Sequence, residues 1–251
     1  MGFCLYICMS IFQHVMIELK NICKRFGNVE VLRDIDLRIS DRLVTSVVGP
    51  SGAGKSTLLQ ILGTLDRADS GRVLYDGVDV AGLNDRRLSA FRNDNIGFVF
   101  QNHQLLPEFS LVENVAMPAL IGGTGHAEAI RRASELLDRM GLGNRLTHKP
   151  SELSGGEAQR GAVARALVNN PRVVLADEPS GSLDSKNRRQ LHGLFFDLCR
   201  DLGTTFVIVT HDESLAADSH CIVHIADGRI VSVEDRREKS AKVNSEINQT
   251  N

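Results

Sequence analysis

The sequence predicts a single large α/β domain. Three observations carry that reading. Short apolar runs rich in Val and Ile alternate with helical periodicities along the chain, as strands and helices packed in layers do. The octapeptide Gly49-Pro50-Ser51-Gly52-Ala53-Gly54-Lys55-Ser56 stands between a Val-rich run and a helical pattern. The stretch 102–166 has little strand character and reads as a helical insertion. A chain of 251 residues is long enough for such a domain with a real core.

In chain order, strands are expected at 17–19, 37–39, 44–48 and 72–75, the last followed by the turn pair Asp76-Gly77. A helix at 55–62 opens after the Gly-rich octapeptide, and a strand is expected at 96–100. Helices at 112–120, 127–140 and 155–168 make up the insertion. A strand at 173–176, a helix at 186–202, a strand at 205–210 and a short helix at 213–217 follow. Strands at 221–225 and 229–233 close the domain around Asp227-Gly228. The runs at 44–48, 173–176 and 206–209 are strongly apolar and look like central strands buried on both faces. No internal repeat is visible. The polar stretch 235–251 reads as a disordered tail.

Composition excludes several classes. Apolar residues make up 42% and charged residues 24%, the balance of a globular domain. A net charge of -2 gives no positive field for nucleic acid, and 5% aromatics with no Trp gives no base-stacking platform. Cys4, Cys8, Cys23, Cys199 and Cys221 form no C-x-x-C pair and have no His at zinc-ligand spacing, so they read as reduced apolar thiols. No segment reaches the roughly 18–20 apolar residues of a membrane span. Service at a membrane therefore requires an integral partner.

Three motifs carry chemistry. The octapeptide fits G-x-x-x-x-G-K-[ST] in the strand-loop-helix context that this phosphate-binding P-loop needs. Gly52 and Gly54 let the backbone curl its N–H groups onto a phosphate, and the helix that follows adds its positive end. Lys55 supplies charge to the β- and γ-phosphates, and Ser56 a hydroxyl to Mg²⁺. The second motif is an apolar strand ending in Asp177-Glu178. Beside a P-loop, Asp177 would hold Mg²⁺ and Glu178 would polarise an attacking water. The third is Leu153-Ser154-Gly155-Gly156-Glu157 before a helix. A Ser and two Gly at a helix N-terminus form an anion site, and Ser154 with Glu157 also fits a capping box.

This third motif resembles the signature sequence of the ABC ATPases, and the resemblance spans roughly 16–233. It implies a P-loop NTPase of the ABC type, with a mixed sheet core, an antiparallel β subdomain and an inserted helical subdomain at about 102–166. It implies that two chains pack head to tail, so that Ser154, Gly155, Gly156 and Asp184 of one close over ATP held by the other. On the ATP-holding side it assigns Gly49, Pro50, Ser51, Gly52, Ala53, Gly54, Lys55, Ser56 and Thr57. Phe26 resembles the aromatic that stacks on adenine, although the family more often has Tyr there. Gln101 resembles the glutamine that senses Mg²⁺ and links to the membrane partner. Asp184, in Ser180-Gly181-Ser182-Leu183-Asp184, resembles the loop that communicates across the dimer, and His211 resembles the switch histidine at the γ-phosphate. Lys55, Glu178 and His211 are the expected catalytic set; Ser56, Gln101 and Asp177 are the expected Mg²⁺ set. Two positions after the signature also depart from the family pattern: Ala158, where a polar residue is commoner, and Gly161, where a β-branched one is. A glycine inside a helix costs about 1 kcal/mol against alanine.

Within the family, Phe98-Val99-Phe100-Gln101, Leu105-Leu106-Pro107, Glu113-Asn114-Val115-Ala116-Met117-Pro118 and His148-Lys149-Pro150-Ser151-Glu152 resemble the lipoprotein-releasing branch. They are shared with the macrolide-export and cell-division branches. The resemblance implies a peripheral ATPase on the cytoplasmic face of the inner membrane, with ATP and Mg²⁺, and a permease with few transmembrane helices and a large periplasmic domain. Lipoprotein cargo would be met only through that permease. Members of the family usually begin near Met-Ile-Glu-Leu, here Met16-Ile17-Glu18-Leu19, so 1–15 is expected to be an added extension and 16–234 the ATPase domain. Rival readings fit less well. A translation-type ABC ATPase carries two such domains, a chromosome-maintenance one needs a coiled coil between P-loop and signature, a P-loop kinase would lack 153–157, and a silent regulatory subunit would not keep both Glu178 and His211.

Overall fold

A computed structural model describes residues 15–237. The expectations for 1–14, with Cys4 and Cys8, and for 238–251 lie outside the described residues.

The chain opens with two long antiparallel strands, β1 (Val15–Phe26) and β2 (Val29–Ser40). With β4 (Ser70–Tyr75) and β5 (Val78–Asp79) they form an antiparallel sheet in the order β2-β1-β4-β5. Within β1 and β2 only 17–19 and 37–39 were expected as strands, because each of the two loses its two-residue alternation part-way. Asn21 and Asp34 adopt left-handed backbone angles, φ +52° and +54°. The buried positions then jump from Leu19 to Ile22 and from Leu32 to Ile35. Such a bulge shifts the face of every later side chain. The two bulged residues meet, with Asn21 Nδ2 donating to Asp34 Oδ1 at 3.0 Å.

The second sheet has the order β10-β9-β3-β8-β7-β6. It comprises β3 (Val44–Val48), β6 (Ile96–Phe100), β7 (Val173–Asp177), β8 (Thr205–Val209), β9 (Cys221–Ala226) and β10 (Arg229–Asp235). Five strands run parallel and β10 pairs antiparallel with β9, so the sheet is mixed. All five residues of β8 are buried, as a central strand covered on both faces requires. The turns at Asp76-Gly77 and Asp227-Gly228 both hold positive φ at two successive residues, the tight hairpin geometry that matches strand twist.

Helices flank the sheet: α1 (Lys55–Leu62), α2 (Asp85–Asn95), α6 (Ser185–Leu202) and α7 (Glu213–Asp218). Between β6 and β7 lie α3 (Leu111–Ile121), α4 (His126–Arg139) and α5 (Gly155–Leu167), with no strand among them. The α2 helix was not expected. It buries only Leu88 and is otherwise largely polar, so it has almost no apolar stripe to read. Its one local signal is Asn84, whose side chain accepts from the Arg87 N–H at 3.0 Å.

At both ends the described residues extend beyond the expected 16–234. Val15 pairs with Ser40. At the other end β10 runs to Asp235, Arg236 pairs with Glu234 at 2.9 Å, and Arg237 pairs with Asp235. The described structure therefore reaches one residue before the expected start and as far as Arg237 at the other end.

Two apolar cores result. One lies between the two sheets and α1; the other joins the opposite face of the mixed sheet to α3, α4, α5 and α6. Tyr75 ties the antiparallel sheet to the P-loop helix, its buried hydroxyl donating to Leu62 O at 2.6 Å.

Candidate active site

The strands set the site by register. Val47 of β3 lies opposite Val209 of β8, and Val209 lies opposite Asp177 of β7, which lies opposite Phe100 of β6. Residues just past these positions therefore converge at one edge of the sheet: the P-loop, Glu178, Gln101 and His211. In open α/β sheets this carboxyl edge is where ligands bind.

The P-loop backbone holds Gly52 at φ +78° and Gly54 at φ +100°, a region L side chains rarely adopt. Gly54 also needs its missing Cβ, which would sit 2.9 Å from Val31 O of β2. The hairpin β1–β2 is thus packed directly on the loop. The Lys55 ammonium donates to Gly49 O at 2.8 Å and Pro50 O at 2.9 Å, closing the loop on itself. Thr57 follows in the first turn of α1.

Ser56 Oγ donates to Asp177 Oδ1 at 3.2 Å. Burial pushes the Asp177 carboxyl above the ordinary aspartate value, opposed by the Ser56 hydrogen bond and the Lys55 charge and reinforced by Glu178. Next to it, Glu178 Oε2 lies 2.8 Å from His211 Nδ1 and accepts from the His211 N–H at 3.3 Å. The Glu178 N–H in turn bonds Val209 O at 2.9 Å. The structure therefore brings Lys55, Ser56, Asp177, Glu178 and His211 into one cluster.

Phe26 sits at the β1–β2 turn with about half its surface exposed. Lys24 Nζ stands 5.1 Å from its ring centroid and also donates to Asp66 Oδ1 and Arg67 O, both at 2.7 Å. The segment after α1 thereby fixes the ring through a cation–π contact. Gln101 is exposed and turns toward Gly181: a Cβ there would lie 2.9 Å from Gln101 Nε2. Among the described residues no hydrogen bond joins Gln101 to Ser56 or Asp177.

Ser154, Gly155 and Gly156 stand apart at the start of α5, with no hydrogen bond or ion pair to the P-loop among the described residues. Ser154 and Glu157 form the capping box: the Ser154 N–H donates to Glu157 Oε2 at 2.8 Å, and Ser154 Oγ accepts from the Glu157 N–H at 3.3 Å. The Ser154 N–H and hydroxyl and the Arg145 guanidinium hold the Glu157 carboxyl down at about 2. Asp184 caps α6, accepting from the Lys186 and Asn187 N–H groups at 3.0 and 2.8 Å.

The structure also accounts for two glycines. A Cβ on Gly156 would come 2.5 Å from Asn187 Oδ1, so α5 begins in contact with α6. A Cβ on Gly161 would come 2.6 Å from Leu111 Cδ1, so this departure from the family pattern marks a close approach of α5 and α3.

The ABC transporter family profile matches residues 32–181. The chain belongs to the ABC transporter family. The lipoprotein-releasing system ATP-binding protein LolD of Porphyromonas gingivalis is 58% identical, over 87% of this chain and 100% of that protein. That of Bacteroides fragilis is 60% identical, over 86% and 100%. Among solved structures, a dimeric ATP-binding cassette in a post-hydrolysis state bound to ADP and Pi is 39% identical at a TM-score of 0.81, over 88% and 98%. CbiO1 of Clostridium perfringens, part of an ABC transporter complex, is 26% identical at a TM-score of 0.81, over 91% of each chain. This ABC cassette is an ATP-binding ATPase, and its two sheets with a helical segment between β6 and β7 are the ABC fold.

Proposed function

We propose that the chain is the ATPase of a lipoprotein-releasing ABC transporter, working as a head-to-tail pair at the cytoplasmic face of the inner membrane. The observation that carries the reading is the split site. Lys55, Ser56, Asp177, Glu178 and His211 converge at one sheet edge, while Ser154, at a second exposed helix N-terminus, makes no contact with them. A second copy supplies Ser154, Gly155, Gly156 and Asp184 across the nucleotide. Relatives named for lipoprotein release at 58–60% identity over their full length support the cargo, and a solved relative that is dimeric supports the pairing. No helix among the described residues is long and apolar enough to cross a membrane, which fits a subunit that docks on a permease.

The residues then divide the chemistry. Phe26 stacks on the base, and the N–H groups of Ser51 to Thr57 hold the phosphates with Lys55. The Ser56 hydroxyl and the Asp177 carboxylate, already adjacent, are hard oxygen donors of the type Mg²⁺ takes, and Gln101 would join them. When bound there, Mg²⁺ neutralises charge on the transferring phosphoryl group. Glu178 orients the attacking water, and His211, hydrogen-bonded to Glu178, faces the γ-phosphate.

The permease has a place to dock. A groove of about 480 Å³ runs along the free edge of β6, lined by Phe98, Phe100, Leu65, Pro118 and Ile121. Phe98 and Phe100 stack at 5.8 Å, and Ile121 is 74% exposed. Gln101 follows directly on this edge. Gln159 Nε2 of α5 donates to Phe100 O at 2.9 Å, so the groove, Gln101 and the signature helix are one connected unit.

Pull-down of tagged Glu178→Gln with ATP from detergent-solubilised membranes tests the reading. Recovery of a permease with a large periplasmic domain together with lipoproteins supports it. A permease with other cargo would replace the substrate and leave the transporter; ribosomes or assembly factors instead of a permease would overturn the membrane role.

A further inference from the structure

Behind the catalytic pair lies a second network, on α6. His192 Nε2 shares a hydrogen bond with Ser180 Oγ at 3.1 Å, and both residues are buried. One turn earlier, Arg188 Nη2 donates to Leu183 O at 3.2 Å. Asp184 caps the same helix. The loop 180–184 is therefore gripped at both ends by a single rigid helix.

Arg188 has a second partner. Its Nη1 lies 3.5 Å from Asp212 Oδ2, and its buried Nε has no hydrogen-bond partner among the described residues. Asp212 is the N-cap of α7, accepting from the Ser214 and Leu215 N–H groups at 2.9 and 3.3 Å. It directly follows His211, whose ring and N–H hold Glu178. One guanidinium thus touches both the loop before α6 and the loop that presents His211. Its planar fork can serve two acceptors at fixed angles, which a lysine ammonium cannot reproduce.

We propose that Arg188 is a positioning residue that couples the 180–184 loop to the His211–Glu178 pair, so that engagement of that loop by a second copy sets the alignment for hydrolysis. The proposal rests on the head-to-tail pairing proposed above. Displacement of the loop carries Leu183 and α6 with it; Arg188 transmits the shift to Asp212, and His211 moves with Asp212. The guanidinium itself touches neither Glu178 nor the P-loop, so its removal acts on turnover and leaves nucleotide binding alone.

The test uses Arg188→Met, Arg188→Lys and Asp212→Asn in the full chain, each also combined with Glu178→Gln. Expected for Arg188→Met is a fall in kcat of about tenfold, within the range of residues along a coupling network. KM for ATP stays within about twofold, as when no ground-state contact is lost. Asp212→Asn gives a similar loss, the Arg188→Met/Asp212→Asn double variant is no worse than either, and Arg188→Lys recovers part of it. In the Glu178→Gln background Arg188→Met still forms the ATP-dependent dimer. Wild-type kcat in Arg188→Met overturns the proposal. So does a loss that follows a lowered melting midpoint and a smaller dimer yield, with kcat per folded chain intact, because that is a structural role. Failure of Glu178→Gln alone to dimerise with ATP overturns the pairing, and the coupling role falls with it.

Discussion

Glu178 is held at φ +46°, a left-handed conformation that costs a side-chain-bearing residue on the order of 1–3 kcal/mol and persists only where the surroundings enforce it. Here Val209 O fixes its N–H and the Gly181 N–H bonds its carbonyl. The backbone thereby turns the carboxylate toward His211 rather than along β7. Glu178→Gln keeps the shape of the side chain and removes the charge. It is expected to bind ATP, accumulate a closed dimer on gel filtration, and lose on the order of 100-fold or more in turnover, the scale of a lost general base. Turnover near wild type would remove Glu178 from the water-positioning role. At this scale the sequence was most legible where chemistry is local. Lys55, Ser56, Asp177 and Glu178 lie in contiguous motifs whose strand-loop context can be read directly. Arg188 was not legible, because its partner Asp212 comes from another loop and only the register of β7 and β8 brings the two together. The same holds for Gly161, whose reason is Leu111 of a different helix.

Elements start and stop where local chemistry dictates, and α5 shows how strongly. Its first turn rests on the Ser154–Glu157 box and the Arg145–Glu157 pair at 2.9 Å. Glu157→Ala is expected to destabilise the fold by about 1 kcal/mol, the scale of a lost cap, measurable by urea denaturation. The pH dependence has a definite sign. The Glu157 carboxyl is lowered in the folded chain to about 2 from an ordinary 4.5. Its contribution is therefore complete above about 4.5 and is lost as pH falls toward 2. The gap between wild type and Glu157→Ala should close across that window and be unchanged from pH 6 to 8. Further along, Gly161→Val inserts a β-branched side chain against Leu111, which is fully buried. Overpacking of this kind costs typically 1–3 kcal/mol, so a melting midpoint equal to wild type would contradict a close approach of α5 and α3. Periodicity located α1, α3, α4, α5 and α6 to within a residue or two, since each carries apolar positions at helical spacing. It recovered only fragments of β1 and β2, because the paired bulges at Asn21 and Asp34 break the alternation that defines a strand.

At the scale of the whole molecule, two sheets share the P-loop between them. The antiparallel sheet presents Phe26 and packs Val31 against Gly54; the mixed sheet presents Asp177, Glu178 and His211. The alternation of strands and helices foretold an α/β domain, the family resemblance implied the separate antiparallel sheet, and strand order came only from the pairings. The groove beside β6 ties the helical segment to this centre, but Ile121 in its lining is 74% exposed, so docking and catalysis should be separable by mutation at that position. Ile121→Glu is expected to abolish co-purification of the permease while leaving the ATPase rate of the isolated chain within about twofold, since a scattered surface change perturbs folding little. A matched loss of both would show that the groove is part of the catalytic unit.

The free edge of β6 has a consequence for how the subunit lives in a cell. An edge strand whose outer side meets no other strand among the described residues, bearing stacked Phe98 and Phe100 beside an exposed Ile121, is a template on which other chains can add. On the proposed reading the permease covers it. Synthesis in excess of permease would then leave orphan subunits whose sticky margin draws chaperones, proteases or one another, so assembly itself sets how much of the ATPase survives.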